Sequence, residues 1–197
     1  MADESLQFED VPAEHQAQRH ICAIVDAGII SPLSMNPPRF GPEYAVTRAQ
    51  SAVYLARAMG LPPQEATEPT FADLPKSHWA YGFVEALYAR GVVSGTDDEP
   101  SQFLPDEAVT RAVIAAALCR AKGLDQLMRE QPTFADVPHE HRAHGWVERL
   151  VDRDSWGGVL ISGGWNPGPP PTFAPDHPVT RASLAILLCR AFGILTE

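Results

Sequence analysis

Apolar residues in this chain of 197 residues recur at helical spacing, in two kinds of stripe that alternate along the sequence. The first kind places apolar side chains at i, i+3 and i+4, which share one face of a helix. It occurs as Ile21, Ile24 and Val25, as Val84, Leu87 and Tyr88, and as Val147, Leu150 and Val151. The second kind is richer in alanine and occurs as Ala52, Val53 and Leu55, as Ala115, Ala116 and Leu118, and as Ala185, Ile186 and Leu188. The pattern predicts six buried helix faces and a mostly α fold.

These stripes belong to three copies of one unit. A Phe-x-Asp-x-Pro segment begins at Phe8, Phe71 and Phe134, at a spacing of 63 residues, and a Thr-Arg-Ala triplet follows in each copy. We therefore treat residues 1–197 as a single domain of three helix-loop-helix repeats: repeat 1 (8–70), repeat 2 (71–133) and repeat 3 (134–197). A unit of this length buries little surface by itself. The repeats are expected to share one interior, as a closed pseudo-threefold cluster or as a short array.

Capping residues predict where the helices begin and end. Ser77 is expected to cap the first helix of repeat 2, which would stop at Gly91. Each second helix is expected to begin at the threonine of its triplet, with a capping box of Thr47 and Gln50 in repeat 1. The loop between the helices of repeat 3, from Gly157 to Pro171, is longer than its counterparts and rich in proline and glycine.

The composition excludes several classes of protein. A formal net charge of −10 argues against a nucleic-acid partner, and no apolar run reaches the roughly 18 residues of a membrane span, so membrane insertion is not expected. Met1–Asp10 has neither a basic start nor an apolar segment, so a secretory signal either was removed or was never used. The three cysteines, Cys22, Cys119 and Cys189, are expected to be buried thiols.

The sequence contains no recognisable catalytic motif. It has no phosphate-binding Gly-Lys loop, no nucleophile elbow and no paired catalytic carboxylates. His139, His141 and His144 are close in sequence but do not form His-Glu-x-x-His, and are expected to be solvated. Asp97–Glu99 is an acidic turn too short for a calcium loop. We predict a protein that is not an enzyme and that needs no cofactor or metal.

The arginines of the triplets, Arg48, Arg111 and Arg181, are the strongest candidates for a binding site. Each would lie in the first turn of a helix, where the helix dipole disfavours a cation by roughly 0.3–1 kcal/mol. Three such arginines indicate that something negative lies beside them. It is either a bound anion, held by free helix N–H groups and the guanidinium fork, or an internal acid such as Asp73 or Asp136 that locks the repeats together. The residues alone favour neither.

Two further kinds of side chain are secondary candidates. The acid of each Phe-x-Asp segment precedes a first helix, where it suits the helix dipole, so a structural role is favoured for it. These acids are Asp10, Asp73 and Asp136. Trp79 aligns with Gln16 and Arg142, which argues against a core role and indicates a surface position from which it could stack on a sugar.

These features resemble the S-layer homology domain, whose pattern is Phe-x-Asp, His-Trp-Ala, Gly-(Ile/Val)-(Ile/Val)-x-Gly, Phe-x-Pro and Thr-Arg-Ala-Glu. Repeat 2 matches best, with Phe71, Asp73, His78-Trp79-Ala80, Gly91-Val92-Val93-Ser94-Gly95, Phe103-Leu104-Pro105 and Thr110-Arg111-Ala112. The departures are Gln16 and Arg142 in place of Trp79, Pro32 in place of Gly95, and the lack of Glu after every triplet. Repeat 3 also carries Trp156 and Trp165 in or beside its long loop.

The resemblance implies a pseudo-threefold helical module that binds anionic cell-wall polysaccharide, often bearing pyruvyl ketals, in grooves between repeats. Such a module is expected at the cell surface, beside other proteins of a surface layer. One or two grooves are expected to be degenerate, and the groove around Trp79 and Arg111 is the best candidate. The candidate ligand-binding residues are Arg48, Arg111, Arg181, Trp79, Asp10, Asp73, Asp136, Gly91 and Gly95.

A competing hypothesis is an assembly protein, for example a phage virion or tail component, that uses this scaffold for structure or host attachment. It is motivated by the missing signal and by a sequence that stops directly after the third repeat. Its partners would be other virion proteins, and it would be located in the virion.

Overall fold

The structure is a computed structural model that describes residues 7–97, 101–152 and 168–195. Within these ranges it has six α-helices and one antiparallel pair of short strands. The helices are α1 (Gln18–Asp26), α2 (Arg48–Ala58), α3 (Tyr81–Tyr88), α4 (Arg111–Ala121), α5 (His144–Leu150) and α6 (Arg181–Phe192). Strands β1 (Ser34–Met35) and β2 (Pro38–Arg39) form a hairpin in the loop of repeat 1. The mostly α fold is confirmed; predictions about residues 1–6, 98–100 and 153–167, including Trp156, Trp165 and most of the long loop, lie outside the described residues.

The three repeats form a closed ring. The second helix of each repeat packs against the first helix of the next one: α2 against α3, α4 against α5, and α6 against α1. The contact of α6 with α1 joins repeat 3 back to repeat 1. Of the two arrangements that the sequence allowed, the closed pseudo-threefold cluster is therefore the observed one.

A triangle of backbone hydrogen bonds lies where the three repeats meet. Val46 donates its N–H to the carbonyl of Val179 (2.9 Å), Val179 donates to Val109 (2.9 Å), and Val109 donates to Val46 (2.8 Å). All three valines are buried. Each repeat thus satisfies one backbone donor and one backbone acceptor of its neighbours, which the interior requires because unpaired buried backbone groups are costly.

The core is built from the predicted stripes and from phenylalanine pairs. The ring centroids of Phe8 and Phe40 lie 5.8 Å apart, and the equivalent pairs in repeats 2 and 3 lie at 5.4 Å. Among the first-helix positions predicted to be buried, Val25 and Val151 are only partly buried, and Tyr88 is 45% exposed. Tyr88 is the last residue of α3, and its ring reaches only the edge of Phe71, at 5.3 Å between centroids.

The first helix of repeat 2 begins later than predicted, because a histidine rather than the predicted serine accepts a backbone N–H just before the helix. Ser77 is not a cap; α3 begins at Tyr81, and the N–H of Ala80 donates to Nδ1 of His78 (3.2 Å). The same bond, at 3.1 Å, joins Ala17 to His15 and Ala143 to His141. The predicted ends are confirmed at Gly91, which has a left-handed φ of 67°. The capping threonines are also confirmed: Thr47, Thr110 and Thr180 each accept a backbone N–H three residues on, with a capping box at Thr47.

Candidate functional site

A groove opens between repeats 1 and 2, and we call it the Arg48 groove. Its volume is about 370 Å³, within the range of small-molecule sites. One side is formed by Arg48, Ser51, Ala52 and Leu55 of α2, and the other by the face of α4 that carries Ala112, Ala116 and Ala117. Loop residues 92–96, Phe103, Leu104 and residues 107–109 of repeat 2 also line the groove, as do Arg142 and Trp146 of repeat 3.

The Arg48 groove is positively charged in a protein that is acidic overall. Among the residues that the structure describes, Arg48, Arg120 and Arg142 line it together with one acid, Glu107, whereas the whole chain carries a formal charge of −10. The guanidinium of Arg120 lies 4.7 Å from the centroid of the Trp146 ring, a cation–π contact that fixes an aromatic face at the groove. The local charge favours an anionic guest.

Arg48 is held in place by the neighbouring repeat. Its Nε–H donates to the carbonyl of Phe103 (2.6 Å) and its Nη2 to the carbonyl of Ser94 (3.2 Å), with the guanidinium 4.9 Å from the Phe103 ring centroid. Burial lowers the pKa of Arg48, as does the neighbouring Arg142, while Glu107 and Asp73 act in the opposite direction. An arginine keeps its charge at neutral pH even so.

Arg111 and Arg181 repeat this contact more deeply. Their Nε–H groups donate to the carbonyls of Phe173 (2.7 Å) and Phe40 (2.8 Å), and their guanidinium groups lie 4.6 and 4.5 Å from the same Phe rings. They are only 7% and 3% exposed, whereas Arg48 is half-buried. All three arginines therefore hold repeats together, as one of the two alternatives proposed. Their described hydrogen bonds to the neighbouring repeat include backbone carbonyl groups, while Asp73 and Asp136 interact electrostatically with Arg48 and Arg111.

The helix N-termini beside these arginines do not offer free N–H groups, so that part of the anion prediction is wrong. The N–H of Arg48 donates to Glu107 (2.8 Å) and that of Ala49 to Pro105 (2.9 Å), both in repeat 2. α4 is capped in the same way by His177 and Pro175, and α6 by Tyr44 and Pro42. Any guest is therefore left with side chains rather than helix ends as its donors.

The acids of the Phe-x-Asp segments hold the loops that carry these carbonyls. In repeat 2, Asp73 accepts the N–H of Phe103 and the N–H of Leu104, both at 2.7 Å. Asp10 and Asp136 make the same pair of bonds in their repeats. The predicted contact with a helix dipole is wrong, because α3 begins eight residues after Asp73. Since both oxygens are occupied by backbone, a role of these acids at the site is indirect: Asp73 positions Phe103, which holds Arg48.

The pKa of Asp10 predicts how acid destabilises the loop. Burial would raise this pKa, but the N–H groups of Phe40 and Gly41, its own N–H and the charge of Arg39 together lower it below its ordinary value of 3.8. A lowered folded-state pKa stabilises the fold above the unfolded pKa, and this stabilisation is lost as the pH falls through the folded value. Urea unfolding between pH 6 and 2.5 should show a loss of stability below about pH 4 that is smaller in Asp10→Asn. Identical pH slopes in the two proteins would contradict this role.

The residue that follows each loop phenylalanine has a left-handed backbone: φ is 72° at Gly41, 58° at Leu104 and 57° at Ala174. Gly41 is also in a tight place, since an added Cβ would lie 2.5 Å from Cδ1 of Leu33 and 3.0 Å from Cδ2 of Tyr44.

We expect Gly41→Ala to lower the free energy of unfolding by about 1–2 kcal/mol from backbone strain, with the close contacts adding to this. Gly28→Ala is the matched control, because Gly28 has φ of 69° with no atom within 4 Å of the added Cβ. Thermal unfolding of both variants measures the difference, and a loss at Gly28 equal to that at Gly41 would contradict the close approach.

Of the remaining predicted site residues, one lines the Arg48 groove and three lie outside it. Gly95 lines the Arg48 groove, where an added Cβ would meet Oγ of Ser101 and lie 2.6 Å from Cε1 of Phe71. Gly91 is an exposed helix stop and lies outside the groove. Trp79 is on the surface, 59% exposed, but it does not line the groove, and neither does Arg111. Neither Trp79 nor Arg111 therefore belongs to the Arg48 groove. The residue that lines it at the position equivalent to Trp79 is Arg142.

Three residues of the groove were missed in the sequence: Arg120, Arg142 and Trp146. A signal for two of them was present. Arg57, equivalent to Arg120, has its guanidinium 5.9 Å from the ring centroid of Phe83, which is 63 residues before Trp146. A recurring aromatic residue paired with a recurring arginine across repeats is a pattern that sequence comparison of the repeats can detect.

Two buried acids, Glu85 and Glu148, were also missed. Glu148 accepts the N–H (2.6 Å) and the hydroxyl (2.7 Å) of Thr133, and Glu85 makes the same bonds with Thr70. They fasten the linkers between repeats to the first helices and have no contact with the groove among the bonds that the structure describes.

The thiols and histidines are not a reactive centre. Burial raises the pKa of Cys119 to about 12 and that of Cys189 to about 11, as expected for the predicted buried thiols. Cys22, also predicted to be buried, is only partly buried because it lies beside the buried face of α1. His144 is buried, not solvated as predicted, with Nδ1 3.0 Å from the carbonyl of Val137. Over residues 7–97, 101–152 and 168–195, no group of three or more His, Cys, Asp or Glu could hold a metal ion. None of the helices described there is long and apolar enough to cross a membrane.

Comparison with known proteins identifies the repeats. The model of the S-layer homology domain matches residues 7–52 and 70–112, so repeats 1 and 2 are S-layer homology domains, as the sequence predicted. Repeat 3 lies outside the matched residues, although its Asp136, Thr180 and Arg181 make the equivalent contacts.

Proteins similar to this chain carry the same kind of region. The chain is 31% identical to S-layer protein EA1 of Bacillus anthracis over 179 residues, which are 90% of this chain and 19% of that protein. It is 30% identical to an S-layer protein of Bacillus licheniformis over 90% of this chain and 19% of the relative. It is 29% identical to the cellulosome-anchoring protein of Acetivibrio thermocellus, over 77% of this chain and 33% of the relative. The chain thus spans between about a fifth and a third of these proteins.

Proposed function

We propose that this chain is a non-catalytic module that anchors its protein to the bacterial cell wall at the cell surface, by binding an anionic wall polysaccharide in the Arg48 groove. The observation that carries the proposal is the set of three arginines lining a groove of a protein with a net charge of −10. The names of its relatives, S-layer proteins and a cellulosome-anchoring protein, support an anchoring role.

The chemistry of the groove suits an acidic sugar. Arg48 and Arg142 supply charge for a carboxylate or phosphate. The Trp146 face and the Ala112, Ala116 and Ala117 surface supply apolar contact for the faces of a sugar ring. Because Phe103 and Ser94 already orient the Arg48 guanidinium, little side-chain entropy remains to be lost on binding.

The test is calorimetry with a pyruvylated monosaccharide, which carries one carboxylate and binds one site at a time. We expect Arg48→Ala to weaken binding tenfold or more, since a hydrogen-bonded charged contact contributes about 1.5–3 kcal/mol. Arg39→Ala is the control, because Arg39 is an exposed arginine outside the groove. The methyl ester of the same sugar should bind the wild type as weakly as the acid binds Arg48→Ala. Equal affinities of wild type and Arg48→Ala for the acid would refute the site.

The competing hypothesis of a virion or tail component stays a proposal, which the genomic neighbourhood addresses. Capsid and tail genes beside this gene would favour it, and a secreted enzyme or surface-layer gene would oppose it.

A further inference from the structure

We propose that one helix position, seven residues after the capping threonine, decides which inter-repeat position accepts a ligand, and that it selects the Arg48 groove. The residue there is Tyr54 in α2, Ala117 in α4 and Leu187 in α6. Tyr54 accepts a hydrogen bond from the guanidinium of Arg181, and Ala117 lines the same groove as Arg48. Leu187 holds the equivalent position in the repeat that Arg111 contacts. The inference rests on the proposed function for the kind of ligand, and it predicts one bound sugar per chain.

Beside Arg181, the position is filled by a side chain of the protein itself. Its Nε–H donates to Phe40 (2.8 Å) and its Nη2 to the carbonyl of Ser31 (2.8 Å). Its Nη1 donates to the hydroxyl of Tyr54 (3.0 Å). The Tyr54 side chain is buried with Arg181, so the place beside this guanidinium is occupied by the protein's own ring and hydroxyl.

Arg48 makes the first two of these bonds and not the third. Phe103 and Ser94, its two carbonyl partners, stand 63 residues after Phe40 and Ser31. The residue 63 positions after Tyr54 is Ala117, which has no hydroxyl, and within the described ranges no other side chain takes the place of that bond. Ala117 lines the groove beside Ala116, with 5% of its own surface exposed. Alanine lacks the ring and hydroxyl that Tyr54 places beside Arg181, so Ala117 supplies no such group to Arg48.

The group that fills the position beside Arg181 also indicates which kind of ligand the position beside Arg48 accepts. Beside Arg181, the occupant is a six-membered ring that presents an oxygen to the guanidinium. A sugar ring with a hydroxyl or acidic oxygen has the same shape and the same acceptor, and it would take the third bond of Arg48 in place of Tyr54. The nearby Arg142, which lowers the pKa of Arg48, favours an acidic oxygen over a neutral one.

Leu187 is the third residue at this position. It is buried, as Ala117 is, but it carries a larger apolar side chain, and Arg111, which contacts the same repeat, is 7% exposed. Arg48, which is half-buried, contacts the repeat that has alanine at this position. Arg181 and Arg111, which are buried, contact the repeats that have tyrosine and leucine there.

The experiment is calorimetry of the full chain with the pyruvylated monosaccharide, comparing wild type with Ala117→Tyr and Ala117→Leu, which copy repeats 1 and 3. We expect one site in the wild type and a loss of affinity of at least tenfold in both variants. Tyr54→Phe, which alters only the Arg181 position, should leave both the affinity and the single site unchanged. Circular dichroism and thermal unfolding verify that each variant is folded, and the leucine variant replaces the tyrosine variant if that one fails.

The outcomes separate this inference from the proposed function. Two or more sites in the wild type, affinity retained in a folded Ala117→Tyr or Ala117→Leu, or affinity altered in Tyr54→Phe would overturn the selection by position 117 while leaving polysaccharide binding in place. A wild type that binds neither the monosaccharide nor purified wall polysaccharide would overturn both.

Discussion

Replacement of Arg181 by alanine is expected to lower the free energy of unfolding by about 3–4 kcal/mol. The change removes three hydrogen bonds from a charged donor, to Phe40, Tyr54 and Ser31, and leaves their oxygens without this partner in a site that is 3% exposed. It also removes the guanidinium from the face of the Phe40 ring, 4.5 Å away. For a chain of this size the loss corresponds to a fall in the melting temperature of roughly 6–16 °C. Urea unfolding followed by circular dichroism measures it.

Arg48→Ala is the matched control for this prediction. Arg48 makes two of the three bonds and is only half-buried, so its loss should cost about 1–2 kcal/mol of stability, and its main effect should be on binding. Equal losses of stability at the two positions would contradict the division between a structural arginine and a ligand-binding one.

Asp73→Ala is expected to have the second largest effect, a loss of about 3 kcal/mol. Asp73 accepts two backbone N–H groups at 2.7 Å, and hydrogen bonds to a charged group contribute about 1.5–3 kcal/mol each, not fully additively. Without the carboxylate, the N–H groups of Phe103 and Leu104 lose their partner, and the left-handed backbone of Leu104 itself costs about 1 kcal/mol. The same loop carries the Phe103 carbonyl that orients Arg48, so affinity for the anionic sugar should fall as well.

Asp106→Ala provides the comparison for this second prediction, because Asp106 is an exposed acid of the same repeat. It should change the free energy of unfolding by less than about 0.5 kcal/mol. If Asp73→Ala unfolds at the same urea concentration as Asp106→Ala, the carboxylate does not hold the loop.

The sequence was sufficient wherever the interaction is local. Thr47 caps α2 and Gly91 ends the first helix of repeat 2 because their partners lie within a few residues, and the apolar stripes are buried because they follow the helical period. The starts of the first helices escaped prediction because the ring of His78, at a position not known as a cap, accepts the N–H of Ala80.

The composition of the site could not be read in the same way, because every groove contact crosses between repeats. Arg48 meets Phe103, 55 residues away, and Arg181 meets Ser31, 150 residues away. The ring brings Arg142, rather than Trp79, to Arg48, and this depends on which helix follows which around the axis. Alignment of the repeats identifies equivalent positions, such as Tyr54 and Ala117, but only the closed packing shows which arginine each of them faces.

The hydrogen-bond triangle of Val46, Val109 and Val179 makes the copy number of the unit a structural constant. Each valine donates one N–H and accepts one, so three valines form a closed set of hydrogen bonds. If one unit were deleted, one valine N–H and one valine carbonyl at the axis would lose their partners. A fourth unit inserted in tandem would have no valine partner left to bond there. Adding or deleting a unit would therefore break this closed set of bonds, whereas substitutions of side chains away from the axis leave it intact.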